Sequence, residues 1–310
     1  MRKRRKFYRG VVNHVYQRTV DGVHLFYSIE DCLVFFTIFA VCARSAGVQI
    51  LEICLMHNHV HFLIRTETIQ ELSAFVDRFT AWFVHEYNTF AGRKGKLFKK
   101  NFGSAPKWDE KKLRSAIIYV GNNPVEKNFC KSAIEYRWNF LAYGKSDHPF
   151  SPKIIIRQSS PELKKALKEV DLMEKLNLPL KYAQLTRLTK GLSGKEMEQF
   201  VDYVISSYLP VDFEELTSHF KSFDCMLDAM DSTTGDDHDI KENRDNFSLD
   251  AFNEMCRYMQ KSMKSNEIRK ITALSDERKM EIYRELQSHT SASAYQICNF
   301  LHLPTARKIA

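Results

Sequence analysis

The stretch Leu55-Met56-His57-Asn58-His59-Val60-His61-Phe62-Leu63-Ile64 decides how the rest of the chain is read. An apolar run from Val48 to Leu55 leads into it, a polar break at His57-Asn58 follows, and a second apolar run from Val60 to Ile64 leads out. Two apolar runs separated by a short polar break are expected to form antiparallel strands joined by a tight turn. Side chains two apart on a strand share a face. His59 and His61 therefore project together, with Val60, Phe62 and Ile64 on the opposite face. Paired imidazoles on a rigid strand suit metal ligation because the scaffold sets their spacing beforehand. The same pattern also fits a half-buried sheet edge, so the neighbouring segments have to decide.

Working outward, Gly10 to Arg18 has the β-branched and aromatic character of a strand, and Asp21-Gly22 is a turn signal. Ser28 with Asp31 three residues on forms a capping-box pattern opening a helix over 31–46, which Gly47 ends. A second helix is expected from Ile69 to Phe90, burying Leu72, Phe75, Val76, Phe79, Phe83 and Tyr87. The basic loop Gly92 to Lys96 then runs into Leu97-Phe98-Lys99-Lys100-Asn101-Phe102, where lysines alternate with apolar and aromatic residues. That interleaving suits single-stranded nucleic acid, cations meeting phosphates and rings stacking on bases, and equally a strand edge guarded by lysine. Trp108-Asp109 opens a further helix through Leu113, Ile117 and Val120 that closes near Asn122-Asn123-Pro124. Tyr119 and Asn123, four apart, share a face of it, with Pro124 expected to distort its last turn. Strand, helix, strand, strand, helix, strand, helix reads as an α+β domain, a ferredoxin-like antiparallel sheet with its helices on one face.

Length and charge narrow the class. The chain of 310 residues is 44% hydrophobic and 12% aromatic, which is globular composition and long enough for two cores. No apolar run approaches the roughly 18 residues of a membrane span, and the basic N-terminus lacks the apolar stretch of a signal peptide, so a cytoplasmic, nucleoid-associated protein is expected. Seven dispersed cysteines without C-x-x-C spacing read as reduced, packed thiols. Residues 1–150 hold 23 Lys and Arg against 13 Asp and Glu, a net of +10, whereas the remainder nets −2. A basic half-chain with a candidate metal pair points to a polyanion, nucleic acid above all.

The order Met56-His57-Asn58-His59-Val60-His61, then Tyr119-Val120-Gly121-Asn122-Asn123-Pro124-Val125, then Glu135-Tyr136-Arg137-Trp138-Asn139 resembles the single-tyrosine HUH transposases of the IS200-like kind, in particular the REP-associated tyrosine transposases. The resemblance spans roughly residues 8–145. It implies a divalent metal, Mg²⁺ or Mn²⁺, held by His59, His61 and Asn123, and Tyr119 as the nucleophile that attacks a DNA phosphate to give a 5′-phosphotyrosine. It also implies a single-stranded DNA hairpin as substrate, nicked and rejoined. Many family members carry proline where this chain has His57, a turn position that offers a spurious extra ligand. His14 reads as a satisfied core histidine, a place near the site by sheet adjacency being the other reading. Lys94, Lys96, Lys99, Lys100, Arg4, Arg5 and Arg307 are the candidate DNA contacts. Two other classes stay open, a non-catalytic nucleic-acid-binding regulator on the same fold and a metal-dependent phosphoesterase that uses water. Short members of the family resemble obligate dimers, and the long tail here fits a monomer better.

The domain reading is a transposase domain over 1–145, a linker over 146–152 and a helical region over 153–310. Expected helices run from Pro161 to Leu176, Leu180 to Leu188, Ser193 to Tyr208, Phe213 to Phe223, Leu249 to Met263 and Asp276 to Leu286. An acidic spacer covers Asp231 to Asn246. The last stretch, about 288–310, resembles a helix-turn-helix with Ile297, Phe300 and Leu303 as its core and Thr305 to Lys308 starting a recognition helix.

Overall fold

A computed structural model describes residues 7–233 and 249–304. Its sheet contains β1 (Val12–Arg18), β2 (Gln49–Met56), β3 (His59–Arg65) and β4 (Gly103–Pro106), all antiparallel in the order β2-β3-β1-β4. With α1 (Ile29–Ala46) between β1 and β2, and α2 (Ile69–Ala91) between β3 and β4, this is the ferredoxin-like βαββαβ topology expected from the sequence. The Ser28 and Asp31 capping box starts α1, and Gly47, in a left-handed conformation, ends it.

Alternation along the strands separates two cores. Val15, Ile53, Val60, Phe62 and Ile64 face α1 and α2, whose phenylalanines interlock in edge-to-face contacts such as Phe39 with Phe75 at 5.1 Å. Val12, Cys54, Met56 and Leu63 face the other way, onto α3 (Glu110–Glu126). Helices therefore cover both faces of the sheet, not one. The sequence pattern of α3 marks an amphipathic helix without saying which face of the sheet receives it, and the polar histidine face is the one it covers.

The fourth strand also differs from the alternating reading of Leu97 to Phe102. The strand begins at Gly103, and Leu97, Phe98 and Phe102 are buried in the α1/α2 core. Their alternation with lysine is that of a segment lying over a core, so Phe98 and Phe102 are not rings for stacking on bases.

Beyond residue 145 the helices do not stack only on one another. α4 (Pro161–Lys175), α5 (Tyr182–Leu188) and α6 (Gly194–Tyr208) extend the α1/α2 core through Leu163, Leu185 and Phe200. The helix expected from Phe213 to Phe223 ends early, as α7 (Phe213–Ser218), and a further helix not expected from the sequence, α8 (Phe223–Ser232), follows, capped by Ser222, which accepts from the Cys225 N–H. Met226 and Met230 of α8 pack against α3.

α9 (Leu249–Met259), α10 (Asp276–His289) and α11 (Ala294–Leu301) build a third core that includes Tyr27. Ile297 and Phe300 are buried in it, and Thr305 to Lys308, where the sequence places the start of a recognition helix, lie outside the described residues. The joint with the sheet domain is an ion pair shielded from water. Arg269 Nε lies 2.7 Å from Asp31 Oδ1, and the same carboxylate accepts from the Tyr27 and Ser28 N–H groups and from the Tyr182 hydroxyl. No helix among the described residues is long and apolar enough to cross a membrane.

Candidate active site

The strand register assembles the site on the α3 face. His59 and His61 project together from β3, their rings edge to face at 4.8 Å between centroids. β1 lies alongside, with Tyr16 directly opposite His61 and Arg18 directly opposite His59. On the other side β2 sets Cys54 opposite His61 and Met56 opposite His59.

Tyr119 reaches down from the middle of α3. Its ring meets that of His61 at 5.6 Å and 90°, and that of His14 at 5.6 Å and 68°. The N-cap Asp109, accepting from the Lys112 N–H, starts this helix, and Leu113, Ile117 and Val120 seat it on the sheet. Pro124 lies inside the helix, which continues to Glu126, so Asn123 keeps its place one turn beyond Tyr119 on the same side. His59, His61, Tyr119 and Asn123 are all buried, at 2%, 0%, 3% and 0% exposure.

The ring nitrogens are held in a defined way. His59 Nδ1 is 2.6 Å from Asn58 Oδ1, and His61 Nδ1 is 2.9 Å from His14 Nε2. Nδ1 is the engaged nitrogen of both contacts. Asn123 adds a buried amide of which neither Oδ1 nor Nδ2 has a hydrogen-bond partner among the described residues. A buried, unsatisfied amide is costly, and accepting a cation on Oδ1 would relieve that cost. Among the described residues no three His, Cys, Asp or Glu side chains group to hold a metal, so a two-imidazole site needs its third donor from another residue type. Two imidazole nitrogens and an amide oxygen fit a divalent cation and leave positions for phosphate oxygens and water.

His57, the extra histidine of the turn, belongs to a different cluster. Its ring lies 5.1 Å from that of His24 and 5.6 Å from that of Phe129. Burial pushes the imidazole of His24 down to about 4 and that of His302 down to about 3, and lowers that of His57, so this cluster stays neutral around pH 7.

β1 sets a cation and a ring beside the histidine pair. The Arg18 guanidinium lies 5.1 Å from the Tyr16 ring centroid, and that ring lies across Gly103, where a Cβ would come within 1.9 Å of it. Lys94, Lys96, Lys99 and Lys100 line the segment between α2 and β4, and the part carrying the last two is tied to the end of β1. The Lys99 N–H donates to Arg18 O, and Gln17 Nε2 donates to Lys99 O. Trp108 lies towards the other end of the sheet, where the Lys107 N–H donates to Val12 O, and is 62% exposed, with Lys112 Nζ 3.6 Å from its ring centroid. Arg4, Arg5 and Arg307 lie outside the described residues.

Sequence reading assigns no part to Tyr16, Arg18 or Asn58, and takes His14 for a core residue. The period-two alternation from His14 to Arg18 is the available signal, but only the β1/β3 register says which residues it sets beside the histidine pair.

A ferredoxin-like sheet whose covered face unites a histidine pair on one strand with a tyrosine on the facing helix defines a class of protein with potential for nucleophilic, metal-assisted chemistry. Comparison with known proteins finds two likenesses. Residues 23–123 match the family model described as "Transposase IS200 like", a span that contains His59, His61, Tyr119 and Asn123. The match covers about a third of the chain and makes this segment similar to the IS200-like transposases. Among solved structures, a REP-associated tyrosine transposase bound to a REP hairpin is similar at 16% identity and a TM-score of 0.39, over 44% of this chain and 81% of that one. No curated protein matches the chain.

Proposed function

We propose that the chain nicks and rejoins single-stranded DNA, with Tyr119 as the nucleophile and His59, His61 and Asn123 as ligands of a divalent metal, Mg²⁺ or Mn²⁺. The single observation that carries this reading is the edge-on packing of the Tyr119 ring against His61, the strand partner of His59, within one chain. A phenol, with a pKa of about 10, is a weak nucleophile at neutral pH and requires a nearby cation to favour its ionised form. A metal bound by the two imidazoles supplies that stabilisation and polarises the phosphate under attack.

The Tyr119 oxygen forms a bond to phosphorus as the bond from phosphorus to the 3′-oxygen breaks. The phenol proton is released to solvent, and the departing 3′-oxygen takes one up. One phosphoester replaces another, so attack by a 3′-hydroxyl on the phosphotyrosine reverses the step without an external energy source. Arg18 and the neighbouring lysines would draw the backbone to the site. A hairpin is proposed as the substrate on the motif resemblance, and the REP hairpin held by the similar solved structure is the first such DNA to try. Because the tyrosine packs on the histidines of its own chain, we propose that it acts in cis and that a monomer is competent.

The test is a hairpin oligonucleotide with single-stranded flanks, labelled in turn at each end and incubated with Mn²⁺. On a denaturing gel the 3′ label should shift with the protein while the 5′ label marks a shortened fragment, and EDTA should stop both. Tyr119→Phe should lose the adduct and keep hairpin affinity within about threefold, since only a hydroxyl is removed. Cleavage without an adduct would mean a phosphoesterase that uses water. Binding without cleavage would mean a regulator. An adduct retained by Tyr119→Phe would remove this tyrosine from the reaction.

A further inference from the structure

His59 is presented by a neighbour whose own hydrogen bond leaves it little choice. Asn58 Nδ2 lies 3.3 Å from the carbonyl oxygen of Gly22. A carbonyl only accepts, so the amide nitrogen of Asn58 must face Gly22 and its Oδ1 must face His59. An amide oxygen also only accepts, so the Nδ1 that it meets at 2.6 Å has to carry the proton. The lone pair of His59 is thereby confined to Nε2. His61 has the matching arrangement through a different residue. Its Nδ1 lies 2.9 Å from His14 Nε2, a contact in which either ring can donate, and where His61 is the donor its Nε2 is likewise the basic nitrogen.

We propose that Asn58 and His14 are positioning residues of the metal site, each fixing the tautomer and ring plane of one histidine so that both present Nε2. The inference rests on the metal-site reading above. Outer hydrogen bonds of this kind set ligand orientation and basicity, and their loss weakens metal binding by about 10- to 100-fold.

The clamp on Asn58 is not local to its turn. The Asn58 carbonyl accepts from the Thr19 N–H at 2.9 Å and the His57 carbonyl from the Leu25 N–H at 2.7 Å, so the segment between β1 and α1 grips the turn from both sides. α11 holds that segment in turn. Asn299 O accepts from the His24 N–H at 3.2 Å, and Phe300 O from the Tyr27 hydroxyl at 2.6 Å. The C-terminal helices thus support the geometry of His59 through successive contacts, which gives the far end of the chain a part in the metal site.

The experiment uses the full chain without DNA. Free Mn²⁺ is titrated by electron paramagnetic resonance for the parent protein, Asn58→Leu, Asn58→Asp and His14→Phe. Asn58→Leu and His14→Phe should weaken Mn²⁺ binding about tenfold or more. Asn58→Asp keeps an acceptor for the His59 N–H and should stay within about threefold of the parent. Parent-like affinity in Asn58→Leu and His14→Phe, or equal weakening in Asn58→Asp and Asn58→Leu, overturns the proposal. Nitrogen NMR of the metal-free rings provides a reading that does not depend on the variants folding. Protonated Nδ1 on both His59 and His61 supports the proposal, and protonated Nε2 on either overturns it. A parent protein that fails to bind Mn²⁺ defeats the metal-site reading itself, while the ring protonation still decides this inference.

Discussion

Glu52 offers a sharp test of how the sheet and α3 pack. It sits on β2 at the irregularity in the β2/β3 register, facing Leu63, and is 1% exposed. Both carboxyl oxygens lack hydrogen-bond partners among the described residues, and Oε1 lies 3.1 Å from where a Cβ on Gly121 would stand. Burial raises its pKa well above the usual 4.5. A carboxyl whose pKa is raised on folding binds more protons in the native state than in the unfolded one. Its contribution to stability is therefore complete below pH 4.5 and is lost as pH climbs towards the folded value. The loss is at most about 1.4 kcal/mol per pH unit within that window. Glu52→Gln is isosteric with the protonated acid and does not titrate. Urea unfolding of both proteins at half-unit steps from pH 4 to 7 should give equal stabilities at the acid end. Above it the parent should fall below the Glu52→Gln variant, the gap widening at up to that slope. Parallel curves across the whole range would mean that the native carboxyl has found a charge partner or water, and the account of the α3 interface would be wrong.

Two further outcomes follow from the same geometry. Arg18→Ala should weaken binding to oligothymidylate and reduce the dependence of log affinity on log salt by about 0.7, the share of one phosphate contact on a single strand. Arg18→Lys should restore the slope. An unchanged slope in Arg18→Ala would show that this guanidinium makes no phosphate contact. Arg269→Met leaves the Asp31 carboxylate buried without its cation and should destabilise the protein by about 3–5 kcal/mol, measured by denaturant unfolding. A loss below about 1 kcal/mol would mean that the remaining donors from Tyr27, Ser28 and Tyr182 suffice for the charge.

What the chain announced by itself was local. Alternation placed His59 and His61 on one face of a strand, the Ser28 and Asp31 box opened α1, and spacing put Tyr119 and Asn123 on one side of a helix. These are period and capping effects, decided within a few residues and therefore legible in one dimension. The resemblance to the single-tyrosine transposases then linked segments that no period connects.

Tertiary structure decided what lies beside what. Only the pairing of β1 with β3 sets Arg18 across from His59 and brings His14 to the Nδ1 of His61, since register depends on partners distant in sequence. Phe98 and Phe102 look like stacking rings until the core beneath them is known. Burial, unlike periodicity, belongs to the assembled chain. Likewise nothing near Asp31 foretells Arg269, and nothing near Asn58 foretells α11. Those contacts exist because the helical half of the molecule folds back over the turn between β2 and β3, and that return path is fixed by packing between surfaces that meet only once both have formed.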